Sequence, residues 1–477
     1  MEEKVYLELS EENGTSHKFY EVLIKDTELT IRFGRIGDSG TIQKQTFDSF
    51  EKAKIAADKK IKEKTKKGYA VSVIGVRQKR KVTRREVTSY VSTSNQAPVI
   101  WSFESDSSAF GIFIENERCW LGNQNGNVFC LDHQGKVLKQ YKLPDGVKCI
   151  VGDSDWIYVG CDDGKVYDLT GKLPRVSYEI EDNVDIYWLD IYAGFLAISD
   201  EKGKVSVINH EEEEQWSASS KGNSGWMVRL DDSCVFHGHS KGITSYYDLE
   251  EGTTGWEQKT LGNILFGWQT KDKIYAATSN KDILCYTKTG KLHSTYKCDA
   301  AVYSCSTSED GKLVFAGDCY SSIYCFNESG ERLWKFATGS SSALSMQYFN
   351  KKLYISTSNG FLSCIDVSEE GIKSSKEGKI KKIKKINAPK SVEIFDSTIL
   401  DETNDDKSGI ILKCVKDGQN LRVKVLSVGF KKEWNVQFPK NLRKENQYYI
   451  VDEIRESKKG SFYRTFGNIK KLRGFNL

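Results

Sequence analysis

The chain of 477 residues contains no run of 18 consecutive apolar residues, whereas a helix that crosses a bilayer needs about 20. It opens Met1-Glu2-Glu3-Lys4, without the basic start and apolar run of a secretory leader, so an intracellular protein is expected. The 12 cysteines include neither an adjacent pair nor a CxxC spacing. Zinc sites draw on closely spaced thiolates or imidazoles, so no metal and no disulfide framework is expected. A net charge of +4 is small for this length and gives no uniform field.

What the chain does contain is a repeat. GNVFCLD at Gly126, GKVYDLT at Gly164, GKVSVIN at Gly203, GITSYYD at Gly242, KDILCYT at Lys281, SSIYCFN at Ser321 and GFLSCID at Gly360 follow one another at 38 to 40 residues. Copies of this length, rich in β-branched and aromatic residues with turn residues at fixed offsets, are the signature of propeller blades. An aromatic recurs 13 to 15 positions into each of the first six copies, at Tyr141, Tyr178, Trp216, Trp256, Tyr296 and Trp334. Alternation puts these rings on faces of stacked sheets, where they fill the space between blades.

The seventh copy lacks that aromatic: 13 positions after Gly360 stands Lys373. Pro98-Val99-Ile100-Trp101-Ser102-Phe103 resembles Arg332-Leu333-Trp334-Lys335-Phe336 but has no repeat before it. A ring that completes its last sheet with a strand from its start leaves no open edge. Residues 96–374 therefore read as a seven-bladed β-propeller closed by the Trp101 strand. The copies resemble quinoprotein and WD40-like repeats, without regular Trp-Asp dipeptides.

Cys130, Cys285, Cys325 and Cys364 hold the same repeat position and read as buried apolar thiols. His237-Gly238-His239 has no carboxylate or thiol cluster beside it and reads as a blade loop. Glu211 to Glu214 reads as a solvated acidic loop that could also attract a basic segment. Charge is strongly divided: +6 for residues 1–90, −13 for 91–374 and +11 for 375–477. Basic ends can follow a phosphate backbone, and an acidic ring can meet a basic protein.

Residues 1–75 read as an α+β module. Residues 4–9, 18–25, Leu29 to Phe33 and Thr41 to Phe47 are expected strands, followed by a helix from Phe50 to about Lys67 capped by Asp48 and Glu51 and stopped by Gly68. Phe50, Ala53, Ala57 and Ile61 share its inner face. His17-Lys18-Phe19-Tyr20, Ile31-Arg32-Phe33-Gly34-Arg35-Ile36-Gly37, Gly40, Thr46-Phe47 and Lys64-Thr65-Lys66-Lys67-Gly68-Tyr69 stand in order over about 70 residues. In this order and spacing they resemble the WGR domain of DNA-break-sensing poly(ADP-ribose) polymerases and bacterial WGR proteins. The resemblance implies DNA binding through Lys18, Phe33, Arg35, Lys44, Lys66, Lys67 and Tyr69. Phe33 stands where the family has tryptophan, keeping a stacking face without the indole N–H, and His17 replaces a common asparagine. The alternative is that Phe33 packs inside the module.

Residues 76–95 read as a linker, with the basic run Arg77 to Arg85 before a Ser/Thr-rich spacer from Thr88 to Asn95; 375–390 reads as a second, lysine-rich linker. Both are expected to let the basic modules move relative to the ring. Residues 391–477 read as a small β-barrel-like domain with strands at Val392 to Leu400, Ile410 to Val415, Leu421 to Val428, Trp434 to Phe438, Tyr448 to Ile454 and Phe462 to Ile469. Trp434, Tyr463 and Arg464 are candidates for a nucleic-acid or peptide contact, or Trp434 and Phe462 form the core.

The whole reads as mainly β. The repeats and the short C-terminal region leave no room for the polymerases' transferase domain, so no enzyme activity, catalytic residue or cofactor is expected. The expected function is a DNA-associated adaptor whose WGR-like module binds DNA, ends or breaks included, and whose acidic propeller recruits a protein. The alternative is a protein-assembly scaffold in which the WGR-like module also contacts protein. The expected location is nuclear in a eukaryote and cytoplasmic otherwise.

Overall fold

In the computed structural model the described residues are 2–10, 17–35, 40–67, 69–71, 87–171, 174–180, 185–379, 382–389, 402–403 and 409–472. The chain divides into two compact units, one formed by Met1–Thr83 with Ile180–Val184 and one by the rest. The strand expected at Val392 to Leu400 and the basic run Arg77 to Arg85 lie outside the described residues.

In the first unit Glu2–Ser10, His17–Lys25, Glu28–Arg35, Thr41–Thr46 and Ala70–Val71 form a five-stranded sheet, and the helix Phe50–Thr65 lies on one face. Alternation decides the faces: Tyr20, Val22 and Ile24 on one strand and Leu29 and Ile31 on the next are buried against Ala53 and Ala57 of the helix. The helix is capped by Ser49, whose hydroxyl accepts from Lys52 N–H at 3.3 Å. Asp48, the expected cap, instead pairs with the Lys52 ammonium at 2.6 Å, because Ser49 is the residue in the extended cap conformation.

In the second unit six four-stranded sheets and one five-stranded sheet follow one another. Their first strands, beginning at Ala109, Val147, Ile186, Met227, Ile264, Val302 and Ala343, touch in sequence, and the last touches the first. This is a closed ring of seven sheets. Val99–Glu104 is the fourth strand of the last sheet, antiparallel to Phe361–Asp366 with Trp101 opposite Cys364. Cys130, Cys285, Cys325 and Cys364 are all buried. His237-Gly238-His239 ends the strand Cys234–His239 and is not a loop.

One device recurs around the ring. An aromatic on the outermost strand of a blade donates from its polar tip to a backbone carbonyl in the outer turn of the next blade: Trp101 to His133 at 3.0 Å, Trp216 to Leu249 at 3.0 Å, Trp256 to Lys288 at 2.8 Å and Tyr296 to Glu328 at 3.2 Å. The ring fills the gap between blades and its donor satisfies a carbonyl that the turn leaves open. At Gly290, where φ is +86°, a Cβ would stand 2.5 Å from the Trp256 indole, so the turn accepts only glycine beneath that ring.

The segments read as linkers are partly built into this unit. In the Ser/Thr spacer, Tyr90 N–H donates to Cys319 O at 2.9 Å, the Ser92 and Ser322 hydroxyls meet at 2.9 Å, and Tyr90 lies 5.0 Å from the Tyr320 ring. In the lysine-rich stretch, a helix runs Glu369–Lys376 and Lys384–Asn387 pairs parallel to Val99–Glu104. Ile383 and Ile386 pack on the ring core and anchor that strand, while Lys384 and Lys385 are exposed on its edge, which guards it against further pairing.

The C-terminal residues form a closed five-stranded barrel: Ile410–Asp417, Asn420–Val425, Asn435–Gln437, Tyr448–Glu456 and Phe462–Leu472. Its core holds Leu412, Val423, Val436, Tyr449 and Tyr463 with Trp434 partly buried at the margin, whereas Phe462, expected beside it in the core, stacks on His210 of the ring. Tyr463 and Arg464 are not exposed contacts: they are 3% and 1% accessible.

The barrel is fixed on the ring. Arg464 pairs with Asp153 at 2.5 Å, Trp156 donates to Thr465 O at 2.9 Å, and Arg443 approaches Glu211 at 3.1 Å. Glu211 is 4% accessible, so the acidic run is not a solvated loop: the arginines of the barrel supply the charge that lets its carboxylates be buried. This correction also applies to the expected mobility of the C-terminal module.

Removing the closing indole takes away both filling and donor, so Trp101→Ala is expected to cost about 3–5 kcal/mol, read as a lower midpoint in denaturant; an unchanged midpoint overturns this account of closure. A second expectation concerns two titrating groups at the barrel contact. Burial, then the charges of Arg464, Arg422 and Arg443, lower His210 from 6.5 to about 4. Burial raises Glu212 from 4.5 to about 7, against the partial relief given by its hydrogen bonds. The histidine contribution is full above pH 6.5 and is lost as pH falls towards 4. The glutamate contribution is full below pH 4.5 and is lost as pH rises through 7. The two oppose each other in the wild type. His210→Gln should leave a Tm that falls from pH 4.5 to 7, and Glu212→Gln a Tm that rises from pH 4 to 6.5, as measured by thermal melts across that range.

Candidate nucleic-acid interface

The hairpin His17–Lys25 and Glu28–Arg35 sets the site. Its register places Lys18 opposite Arg35, Phe19 opposite Gly34 and Tyr20 opposite Phe33. Gly34 is required by close approach: a Cβ there would stand 2.9 Å from Gly40 Cα and 3.3 Å from the Phe19 ring. On the helix side Tyr20 stacks with Phe33 at 6.0 Å and meets Tyr69 edge-on at 6.3 Å.

Over these rings comes the C-terminal end of the helix. The Lys64 ammonium sits 4.4 Å from the Tyr20 centroid and 5.2 Å from that of Tyr69. Its pKa is held below the usual lysine value, first by burial and then by the charges of Lys67, Lys60 and Lys18. Lys18, Lys60 and Lys67 thus act electrostatically on Lys64, which lies beside an aromatic floor. Glu63 is the acid that offsets them, and its carboxylate stands 3.9 Å from Lys60.

The expected residues do not all meet here. Lys18 and Lys67 belong to the cluster. Lys66 is exposed at the helix cap, and Lys44 is spent on Glu28 at 2.9 Å on the strand Thr41–Thr46. Phe33 is half-buried and packs on the core, and Tyr69 is 7% accessible, so their faces serve the fold. Arg35 is placed by its backbone opposite Lys18, and its side chain lies outside the described residues. Lys60 and Lys64 were not among the expected site residues, although their spacing of four puts them on one face of the helix, with Lys67 just beyond its end.

Elsewhere, His237 is fully buried with neither ring nitrogen hydrogen-bonded, 5.7 Å from the His239 ring. Among the described residues no group of three or more His, Cys, Asp or Glu is arranged to hold a metal ion. Among the same residues no helix is long and apolar enough to cross a membrane.

An α+β module carrying a lysine cluster, joined to a β-propeller, is the class this architecture defines. Residues 3–75 match the WGR domain family and residues 240–370 match the family of the outer membrane protein assembly factor BamB. The chain therefore carries a WGR domain at residues 3–75 and a BamB-like repeat region at residues 240–370. The WD40 β-propeller domain of Doa1 is similar at 12% identity with a TM-score of 0.50, covering 59% of this chain and 99% of that one. The computationally designed Ika8 protein is similar at 11% identity with a TM-score of 0.46, covering 57% of this chain and 100% of its own. No curated protein matches the chain.

Gly34→Ala should force the hairpin off the Gly40 backbone. Overpacking of this kind costs about 1–3 kcal/mol, so the melting midpoint of the WGR domain is expected to fall, and retention of the wild-type midpoint would show that the close approach is not needed.

Proposed function

We propose that this protein is a nonenzymatic DNA-associated adaptor: the WGR domain takes hold of DNA through Lys18, Lys60, Lys64 and Lys67, and the propeller presents a surface to a protein partner. The observation that carries the reading is the lysine cluster. Like charges brought near one another raise the free energy of the free protein, and the Lys64 pKa is lowered first by burial and then by the charges of Lys67, Lys60 and Lys18. A phosphate backbone removes that repulsion and gains from it, with release of condensed counterions. The break-sensing role of the domain in poly(ADP-ribose) polymerases makes a DNA end the first substrate to try. The thiol-rich composition, 12 cysteines of which 11 are buried, supports an intracellular, reducing setting, nuclear in a eukaryote.

A second reading is supported by Phe33 and Tyr69, which pack inward and leave no free ring at the signature turn. On that reading the domain is a protein contact and the chain a scaffold.

Binding to blunt, 5′-phosphorylated, nicked and closed circular DNA over a salt series separates the two. Each phosphate contact contributes about 0.9 to the slope of log K against log salt. Lys18→Gln, Lys64→Gln and Lys67→Gln together should therefore reduce the slope by about 2–3. Preference for ends over closed circles should fall with it. A folded triple variant with the wild-type slope would sink the DNA reading and leave the scaffold.

A further inference from the structure

The connectivity of the barrel is specific. Its first strand pairs antiparallel with the second and with the fourth, the second with the third, the fourth with the fifth, and the third runs parallel to the fifth. This is the Greek-key order of an OB-fold, in which the face of strands two and three and the turns joining one to two and four to five take up oligonucleotides. In this chain that face meets the ring through Arg422 of the second strand and Gln437 of the third.

The chemistry of the contact is that of a nucleotide strand. From the second strand Arg422 reaches Glu213 at 2.6 Å and Glu211 at 3.3 Å, and Asn420 at the first turn donates to Glu213 at 3.1 Å. Beyond the third strand, Lys440 N–H donates to a Glu212 carboxylate oxygen at 2.6 Å. On the fifth strand Phe462 lies flat on the His210 imidazole, with centroids 3.7 Å apart and planes 7° apart. Lys459, from the turn between strands four and five, pairs with Asp232 at 3.0 Å. One planar heterocycle stacked on an aromatic, followed at once by three carboxyl groups held by arginines and a backbone N–H, fills the places of a base and its phosphates.

We propose that this face of the barrel is a binding site for single-stranded nucleic acid, and that the ring segment His210–Glu213 occupies it as an internal mimic that an incoming strand must displace. The close seat depends on ring residues as well: a Cβ on Gly194 would stand 2.6 Å from the Phe462 ring. None of these residues belongs to the lysine cluster of the WGR domain.

The test uses the full chain carrying Lys18→Gln, Lys64→Gln and Lys67→Gln, so that any contribution of the WGR cluster is removed, with and without Glu211→Gln, Glu212→Gln and Glu213→Gln. Fluorescence anisotropy with a labelled oligo(dT) of about 12 nucleotides, within the site sizes of single barrels, should show at least a tenfold gain on removing the three carboxylates. A duplex of the same length should gain little. A folded glutamine variant with unchanged oligo(dT) affinity overturns the proposal, and so does an equal gain for duplex, which marks a bare basic surface. If the glutamine variant does not fold, hydrogen exchange of the unaltered chain decides. Saturating oligo(dT) should expose amides of 209–214 while protecting those of 435–437 and 462–465, and absence of that exchange pattern overturns the proposal.

Discussion

A ring of sheets exists only if its last sheet can be completed, and here completion depends on pairing Val99–Glu104 with Phe361–Asp366. Without it the strand at Phe361 would be a bare edge, and Trp101 would lose the core it shares with Tyr354, Leu362 and Cys364. Lys384–Asn387 pairs on the far side of the same strand, so the path towards the barrel starts from it.

Electrostatics then assigns the C-terminal barrel its place. The ring is acidic and the C-terminal segment basic, but the charges do not face each other as diffuse fields. Asp153 and Glu211 are buried against Arg464, Arg443 and Arg422. Buried ion pairs of this kind contribute little net stability compared with apolar packing and a great deal of positional definition, because losing one partner strands the other charge. The positive charge of the barrel is therefore partly consumed inside the protein.

The propeller was legible because its information is local. Turn residues, alternation and an aromatic at a fixed offset recur every 38 to 40 residues, and the missing aromatic after Gly360 pointed to Trp101. The WGR fold was legible from ordered short motifs, and the helix face from the spacing of Ala53 and Ala57. The candidate site was legible only in part. Lys18 and Lys67 could be named, whereas Tyr69 and Phe33 were drawn into the core by Tyr20, a partner that is adjacent only once the hairpin register is set.

Taken alone, then, the sequence determined the class of fold, the ring and its closing strand, and the division of charge, since each is written in periodicity or in composition over one segment. The tertiary structure alone decided that Glu211 is buried and Arg464 hidden, because each finds its partner more than 200 residues away, Glu211 at Arg443 and Arg464 at Asp153. It also decided that Lys60 and Lys64 join Lys18, for a helix and a strand meet only after the sheet has packed. No local pattern encodes such distances; burial and charge pairing across the fold select them.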